Sequence, residues 1–418
     1  VGEHATYHIQ YNTPLTSDIE GIARPVSHWV KSARTSTNVG ACAAEAIAAA
    51  HTAPGQIATL ILPADTAWGD GGVVGSVPAI PERTPIDEKA IDEAAAVLKS
   101  GKPTLLLLGA DALYEGPLAN AGAIAAATGC NVMAEGMNKR LQRGAGRLSV
   151  NRIPYPVPQA LEVLKPYSRI ILVGAATPAG FFAYPGMPSL LAPEGCEFTL
   201  IAEPEQDCAA ALQALAAAVG AKPGTAKLQQ LKRPDRPTGA LTLDSIAAAI
   251  GAILPENAIV ADESVTTGRG FYPLTAGAPA HDWLQNRGGS IGLGMPLATG
   301  AAVACPDRKV VCLEGDGSGM YTLQALWTQA RENLDVTTLV FANRSYNILK
   351  GELANVGAGN PGPRAHDMLT LDRPTLDWID LAKGMGVEAE RAQTVDELCN
   401  AFERGLAVKG PYLIEVMI

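Results

Sequence analysis

Apolar and polar positions along this chain fall into a repeating order of short apolar runs and helical-period stretches. Residues 310–313 and 336–341 are unbroken apolar or β-branched runs of strand length. Between them Leu323, Leu326, Trp327 and Ala330 recur at helical spacing, which predicts a helix over 321–333. Run, turn, helix and run make a βαβ unit, and the right-handed crossover makes its two strands parallel. The same order recurs upstream: a helix over 39–53 with a strand over 57–62, then a helix over 87–100 with a strand over 103–108. Strands over 169–173 and 197–201 and a helix over 206–219 follow. This alternation predicts an α/β chain with helices on both faces of parallel sheets. Proline-rich 77–85 and Lys/Arg/Pro-rich 222–239 read as solvated linkers. They divide the chain into 1–75, 86–220 and 240–418.

The sharpest chemistry sits on the βαβ unit of the last segment. Gly315, Asp316, Gly317 and Ser318 follow the first run, and Asn343, Arg344 and Ser345 follow the second. Asp316 and Asn343 therefore lie just beyond the carboxyl ends of two parallel strands, where open α/β sheets bind ligands. Mg²⁺ takes about six oxygens, commonly one or two carboxylates with phosphates and water. Asp316 offers a carboxylate oxygen, Asn343 an amide oxygen, and the backbone near Ser345 a carbonyl. Gly315 and Gly317 allow close approach of the backbone, and a helix amino terminus favours an anion. Taken alone, these residues also fit an ordinary strand-to-helix turn.

Residues further upstream narrow that choice. Gly315-Asp316-Gly317, a spacer of 25 residues and Asn343 resemble the diphosphate motif of the thiamine-diphosphate-dependent enzymes of the acetolactate synthase, pyruvate decarboxylase and benzoylformate decarboxylase group. A second asparagine often follows there; here Arg344 stands in its place. Residues 288–302 resemble the segment in which a large apolar residue props the cofactor in a bent shape, and Ile291 matches that position. Residues 262–267, after the apolar run 258–260, resemble the family's first diphosphate-side loop, which nominates Ser264 and Thr266. The resemblance implies three doubly wound parallel-sheet domains in the order pyrimidine-binding, central and diphosphate-binding. It implies thiamine diphosphate and Mg²⁺, with Asp316, Asn343 and Ser345 toward the metal. Gly315, Gly317, Ser318, Ser345 and Tyr346 would lie toward the diphosphate.

The resemblance also sets expectations about substrate and completeness. Tyr346, Ile348, Leu349 and Glu352 leave the Asn343 loop on a helix, so Ile348, Leu349 and Glu352 are the substrate-side candidates; a plain core stripe would show the same spacing. Aryl-oxoacid decarboxylases of the group carry an aromatic residue where this chain has Glu352, and a catalytic His at about the place of Phe182. Both departures count against benzoylformate chemistry without selecting acetolactate synthesis; the reading is acetolactate synthase-like chemistry on a 2-oxo acid, with benzoylformate decarboxylase-like chemistry as the alternative. The first segment resembles only the second half of a pyrimidine-binding domain, which predicts about 90–100 further residues upstream. The family's activating Glu would lie there, so no catalytic residue is nominated. This chain alone would then be inactive, or a cofactor-binding protein without turnover.

Composition trims the remaining options. Net charge is −10 with no long basic run, which argues against nucleic acid. No apolar stretch reaches the roughly 18 residues that cross a membrane. Seven scattered Cys without metal-like spacing read as reduced thiols, which predicts a cytoplasmic protein. Gly292-Leu293-Gly294 lacks the third glycine and the acidic partner of a dinucleotide fingerprint. The turns at Gly109, 137–140 and 174–176 carry no flavin motif, so FAD stays open. His4 and His8 sit in a loop-like stretch without a third ligand, and His281 and His366 read as loop residues. The family's shared sites imply a homodimer or homotetramer.

Overall fold

The computed structural model describes all 418 residues. Its backbone divides into two compact units, Val1–Asp87 with Ala202–Asp207, and Glu88–Ile201 with Cys208–Ile418. The first holds a three-stranded parallel sheet of β1 (Gly2–Glu3), β2 (Trp29–Ser32) and β3 (Ala58–Pro63), with β3 in the middle. The helix Val39–His51, rich in alanine, packs on β3 and β2.

The second unit contains two further sheets. One comprises β4 (Thr104–Leu108), β5 (Asn131–Ala134), β7 (Asn151–Arg152), β8 (Arg169–Val173) and β9 (Glu197–Ala202), in the order β7-β5-β4-β8-β9. The other has seven strands. They are β6 (Arg140–Arg143), β10 (Ile259–Glu263), β11 (His281–Gln285), β12 (Val310–Gly315), β13 (Val336–Ala342), β14 (Glu388–Ala392) and β15 (Tyr412–Met417). Their order is β14-β15-β13-β12-β10-β11-β6, all parallel except β6. The expected α/β architecture of parallel sheets is present.

Unbroken apolar runs became strands buried on both faces, as parallel sheets require. On one face Val311, Leu313, Leu339 and Phe341 meet Leu398 and Phe402 of the helix Val395–Ala407. On the other, Val310, Cys312 and Val340 meet Met295 and Ala298 of the helix Gly294–Ala304, together with Trp378. The helix read over 321–333 is shorter, Ala325–Arg331, because hydrogen-bonded turns occupy the residues before it. The stretch 222–239 is not simply solvated. Gln229 donates to Arg147 O at 2.8 Å and Lys232 to Gly277 O at 2.9 Å, so its backbone is pinned along the surface.

Strand β6 had no clear signal in the sequence. It leaves the central segment and pairs antiparallel with β11, Leu141 opposite Trp283. Its Arg143 is buried beneath Tyr272, the guanidinium 3.7 Å from the ring centre, and donates to Thr275 Oγ1 at 3.0 Å. Burial pulls Arg143 down to about 10, which leaves it charged at neutral pH. Through this pairing the central segment adds a strand to the sheet of the last segment.

Neither His281 nor His366 lies in a loop. His366 is exposed on the helix Pro363–Met368. His281 opens β11 and is fully buried, with Nδ1 2.7 Å from Pro279 O. Burial, reinforced by Arg143, lowers it from 6.5 to about 3. The unfolded chain therefore takes up a proton between those values that the fold refuses. Stability is full above pH 6.5 and falls as pH drops toward 3, by up to about 4–5 kcal/mol. We expect His281→Phe to flatten urea-measured stability between pH 6 and 4; an unchanged slope would show that this histidine does not set it.

Candidate active site

Three neighbouring parallel strands end together. Register pairs Glu263 with Glu314 and Gly315 with Phe341, so β10, β12 and β13 deliver their carboxyl ends side by side. The loops carrying Ser264, Asp316 and Asn343 issue from these ends.

Asp316 is 3% exposed and opens the short helical turn Asp316–Gly319. Its Oδ1 accepts from Gly317 N at 2.9 Å and its Oδ2 from Arg344 N at 2.6 Å. Asn343 Oδ1 accepts from Ser345 N at 2.9 Å, and Arg344 takes the left-handed φ of 55°. One carboxylate thus ties the β12 turn to the β13 turn. The Asn343 loop is held from its far side too: Tyr346 N donates to Leu369 O at 3.0 Å, and Leu371 N to Arg344 O at 2.8 Å. Burial nevertheless raises Asp316 from 3.8 to about 6, against the two backbone donors. A carboxylate so placed lacks a counter-charge, and a divalent cation would supply one. The donor set contains a single carboxylate, so such a cation would need further oxygens from a phosphate-bearing ligand and water.

The cradle around Asp316 is tight. A Cβ on Gly317 would come 2.5 Å from Tyr346 Cε1, so only glycine admits that ring. Ser318 is buried in the same turn. Ser345 Oγ donates to Leu369 O at 2.9 Å, which leaves its backbone as the part to offer a metal. Ser264 is buried and its hydroxyl donates to Asp262 Oδ1 at 2.5 Å, inside its own turn. Thr266, half-buried, precedes the turn Thr267–Gly270.

Ile291 is 46% exposed in the turn before the helix Gly294–Ala304. Glu263 anchors that turn, accepting from Gly292 N at 2.8 Å and Gly294 N at 2.6 Å. Thr322 Oγ1 adds a bond to Gly292 O at 2.8 Å. Beside Glu263 lies Glu314, fully buried. Burial, then the neighbouring Glu263, pushes Glu314 far above the usual carboxylate range; burial raises Glu263 as well, opposed by its two amides. Two buried carboxyls this close cannot both ionise, and Glu314, the more deeply buried of the two, keeps the proton. Sequence reading missed this pair; the signal was an acidic residue ending each of two strands.

Ile348, Leu349 and Glu352 lie on the helix Asn347–Asn355, none of whose residues is buried. That removes the plain core stripe as the explanation of their spacing. In the first unit His4 Nε2 lies 2.9 Å from Pro14 O, and the His4 and His8 rings are 5.4 Å apart.

Comparison with known proteins points one way. Residues 270–416 match the thiamine pyrophosphate enzyme C-terminal TPP binding domain. A Mycobacterium tuberculosis protein named acetolactate synthase large subunit IlvX is 49% identical over 421 residues, covering 100% of this chain and 80% of that one. Benzoylformate decarboxylase of Pseudomonas aeruginosa is 34% identical over 181 residues, 43% of this chain and 32% of that enzyme. Among solved structures, the thiamine diphosphate-dependent 4-hydroxybenzoylformate decarboxylase of Rhodococcus jostii superposes with a TM-score of 0.82 at 22% identity, over 99% of this chain and 81% of that one. Benzoylformate decarboxylase of Polynucleobacter necessarius gives 0.80 at 21%, over 100% and 80%. At that identity the structures speak for the fold. No helix is long and apolar enough to cross a membrane.

If Glu263 fixes the Ile291 turn, Glu263→Ala orphans two amides, each worth about 1–3 kcal/mol, partly offset by removal of a buried carboxyl. We expect faster hydrogen exchange at 292–294 and a loss of about 2 kcal/mol in urea unfolding. Wild-type exchange rates there would refute the anchor.

Proposed function

Because this chain belongs to the thiamine-diphosphate-dependent enzymes of the acetolactate synthase and benzoylformate decarboxylase family, we propose that it acts on a small 2-oxo acid with Mg²⁺-bound thiamine diphosphate. The observation that carries this reading is Asp316: a carboxylate raised to about 6 by burial, set at adjacent strand ends beside Asn343.

Asp316 Oδ and Asn343 Oδ1 would hold the cation, with the Ser345 carbonyl as a third protein oxygen. Gly315, Gly317 and Ser318 would lie along the diphosphate, with Tyr346 closing over Gly317. Ser264 and Thr266 belong to the neighbouring turn at the end of β10. Ile291 would support the cofactor between its two rings. When bound, thiamine diphosphate supplies a carbanion that adds to the oxo carbon and takes up the electron pair as CO₂ leaves. The protein's share is to bind, orient and exclude water. Protonation after CO₂ loss gives an aldehyde, whereas addition to a second carbonyl compound gives a ligated product. Acetolactate synthase-like ligation is the preferred outcome, since the relative matching along this whole chain bears that name. A homodimer or homotetramer in the cytoplasm completes the proposal.

Asp316→Ala should abolish Mg²⁺-dependent binding of thiamine diphosphate, read by calorimetry or tryptophan quenching. Wild-type affinity in that variant would sink the assignment. Binding to the wild-type protein should also weaken below about pH 6, where protons compete with the cation for Asp316.

A further inference from the structure

Glu352 projects from the helix Asn347–Asn355, and two phenols from the central sheet reach it. Tyr184 Oη donates to Oε2 at 2.7 Å and Tyr155 Oη to Oε1 at 3.1 Å. Tyr155 comes from the loop after β7 and Tyr184 from the loop after β8, so both stand at the carboxyl ends of central strands. The second loop is itself built: Gly180 N donates to Ser189 O at 2.8 Å, and Ala179 bridges Leu190. Burial first, then the bond to Glu352, raises Tyr184; burial first also raises Tyr155, so both remain protonated donors.

This cluster connects to the Ile291 turn. The Tyr155 and Phe181 ring centres are 5.8 Å apart. Phe181 in turn lies against Gly289, where a Cβ would come 2.4 Å from its Cζ. Gly289 is two residues before Ile291. A line of contact therefore runs from the proposed cofactor support, along aromatic walls, to a carboxylate whose two oxygens are oriented by fixed donors. Phe181, Phe182 and Leu349 stay 43%, 52% and 46% exposed along it.

An ionised carboxylate is acceptor-only, with about four lone-pair positions. The phenols occupy two and Asn355 Nδ2, at 3.5 Å from Oε2, a third, and the side chain is only half-buried, so one acceptor position remains. We propose that Glu352, oriented by Tyr155 and Tyr184, sets substrate specificity by selecting 2-oxo acids whose far end bears a hydrogen-bond donor such as a hydroxyl. An acid ending in a second carboxylate would meet like charge, and one ending in a methyl would desolvate Glu352 without filling its remaining acceptor position. This inference rests on the cofactor reading above. The assay below distinguishes an aliphatic from an aromatic frame for that donor.

The test uses the protein at full length, loaded with Mg²⁺ and thiamine diphosphate. CO₂ release would be measured from 4-hydroxy-2-oxobutanoate, 4-hydroxyphenylglyoxylate, 2-oxopentanoate and 2-oxoglutarate. We expect one hydroxylated acid to lead both others by roughly 10- to 100-fold in kcat/KM, and which of the two leads identifies the frame. In Glu352→Leu that lead should vanish and 2-oxopentanoate should gain, while cofactor affinity stays at the wild-type value. Tyr184→Phe, which keeps the ring, should reduce the lead with unchanged melting temperature. Equal turnover of 2-oxoglutarate, turnover of none of the four, or an unaltered preference in Glu352→Leu would overturn the inference. Failure of the wild-type protein to bind thiamine diphosphate would instead overturn the cofactor reading, and this inference with it.

Discussion

Everything at the site depends on a buried carboxylate shared between two turns. Asp316 lies at the end of β12, yet one of its oxygens is taken by the backbone of Arg344, beyond the end of β13. The bond fixes how the Asn343 loop leaves its strand, and with it the start of the helix that carries Glu352. Desolvation makes this arrangement costly for a bare charge, since two amides do not restore the solvation that burial removes. The fold accepts that cost at one point because the parallel sheet around it is packed on both faces.

A second carboxyl pair works on the opposite flank. Glu263 and Glu314 are register partners, and both are buried at the amino end of the helix Gly294–Ala304. Glu263 spends its oxygens on amides of the turn bearing Ile291. Glu314, held neutral by burial and then by its neighbour, fills the space where a Cβ on Gly294 would strike its Oε2 at 2.3 Å. The site is thus framed by two acidic devices with opposite demands: Asp316 lacks positive charge, whereas Glu263 and Glu314 settle their charge between themselves and the backbone.

Much of the fold was legible because parallel strands buried on both faces leave continuous apolar runs, as 310–313 and 336–341 do. The Gly-Asp-Gly turn and Asn343 could be placed at strand ends for the same reason. The arrangement around Glu352 could not. Tyr155, Tyr184 and Glu352 lie up to 197 residues apart, and nothing in local pattern couples them. Strand β6 escaped notice because Arg-Leu-Gln-Arg holds only one apolar residue, and its buried Arg143 relies on Tyr272 and Thr275 for compensation. His281 was misread as a loop residue since its run, His-Asp-Trp-Leu-Gln, starts with two polar residues whose burial depends on partners distant in sequence.

Strand β6 also bears on how such a sheet stays solitary. A parallel sheet ends in a strand with one row of backbone donors and acceptors exposed, a ready template for another chain. Here that row on β11 is closed by four residues borrowed from the central segment, running in the opposite direction and ending in an arginine sealed beneath aromatic rings. The last segment does not close its own border. Cut free of the central segment, it would bare β11 along its length, and such a piece would be prone to stick to its own kind.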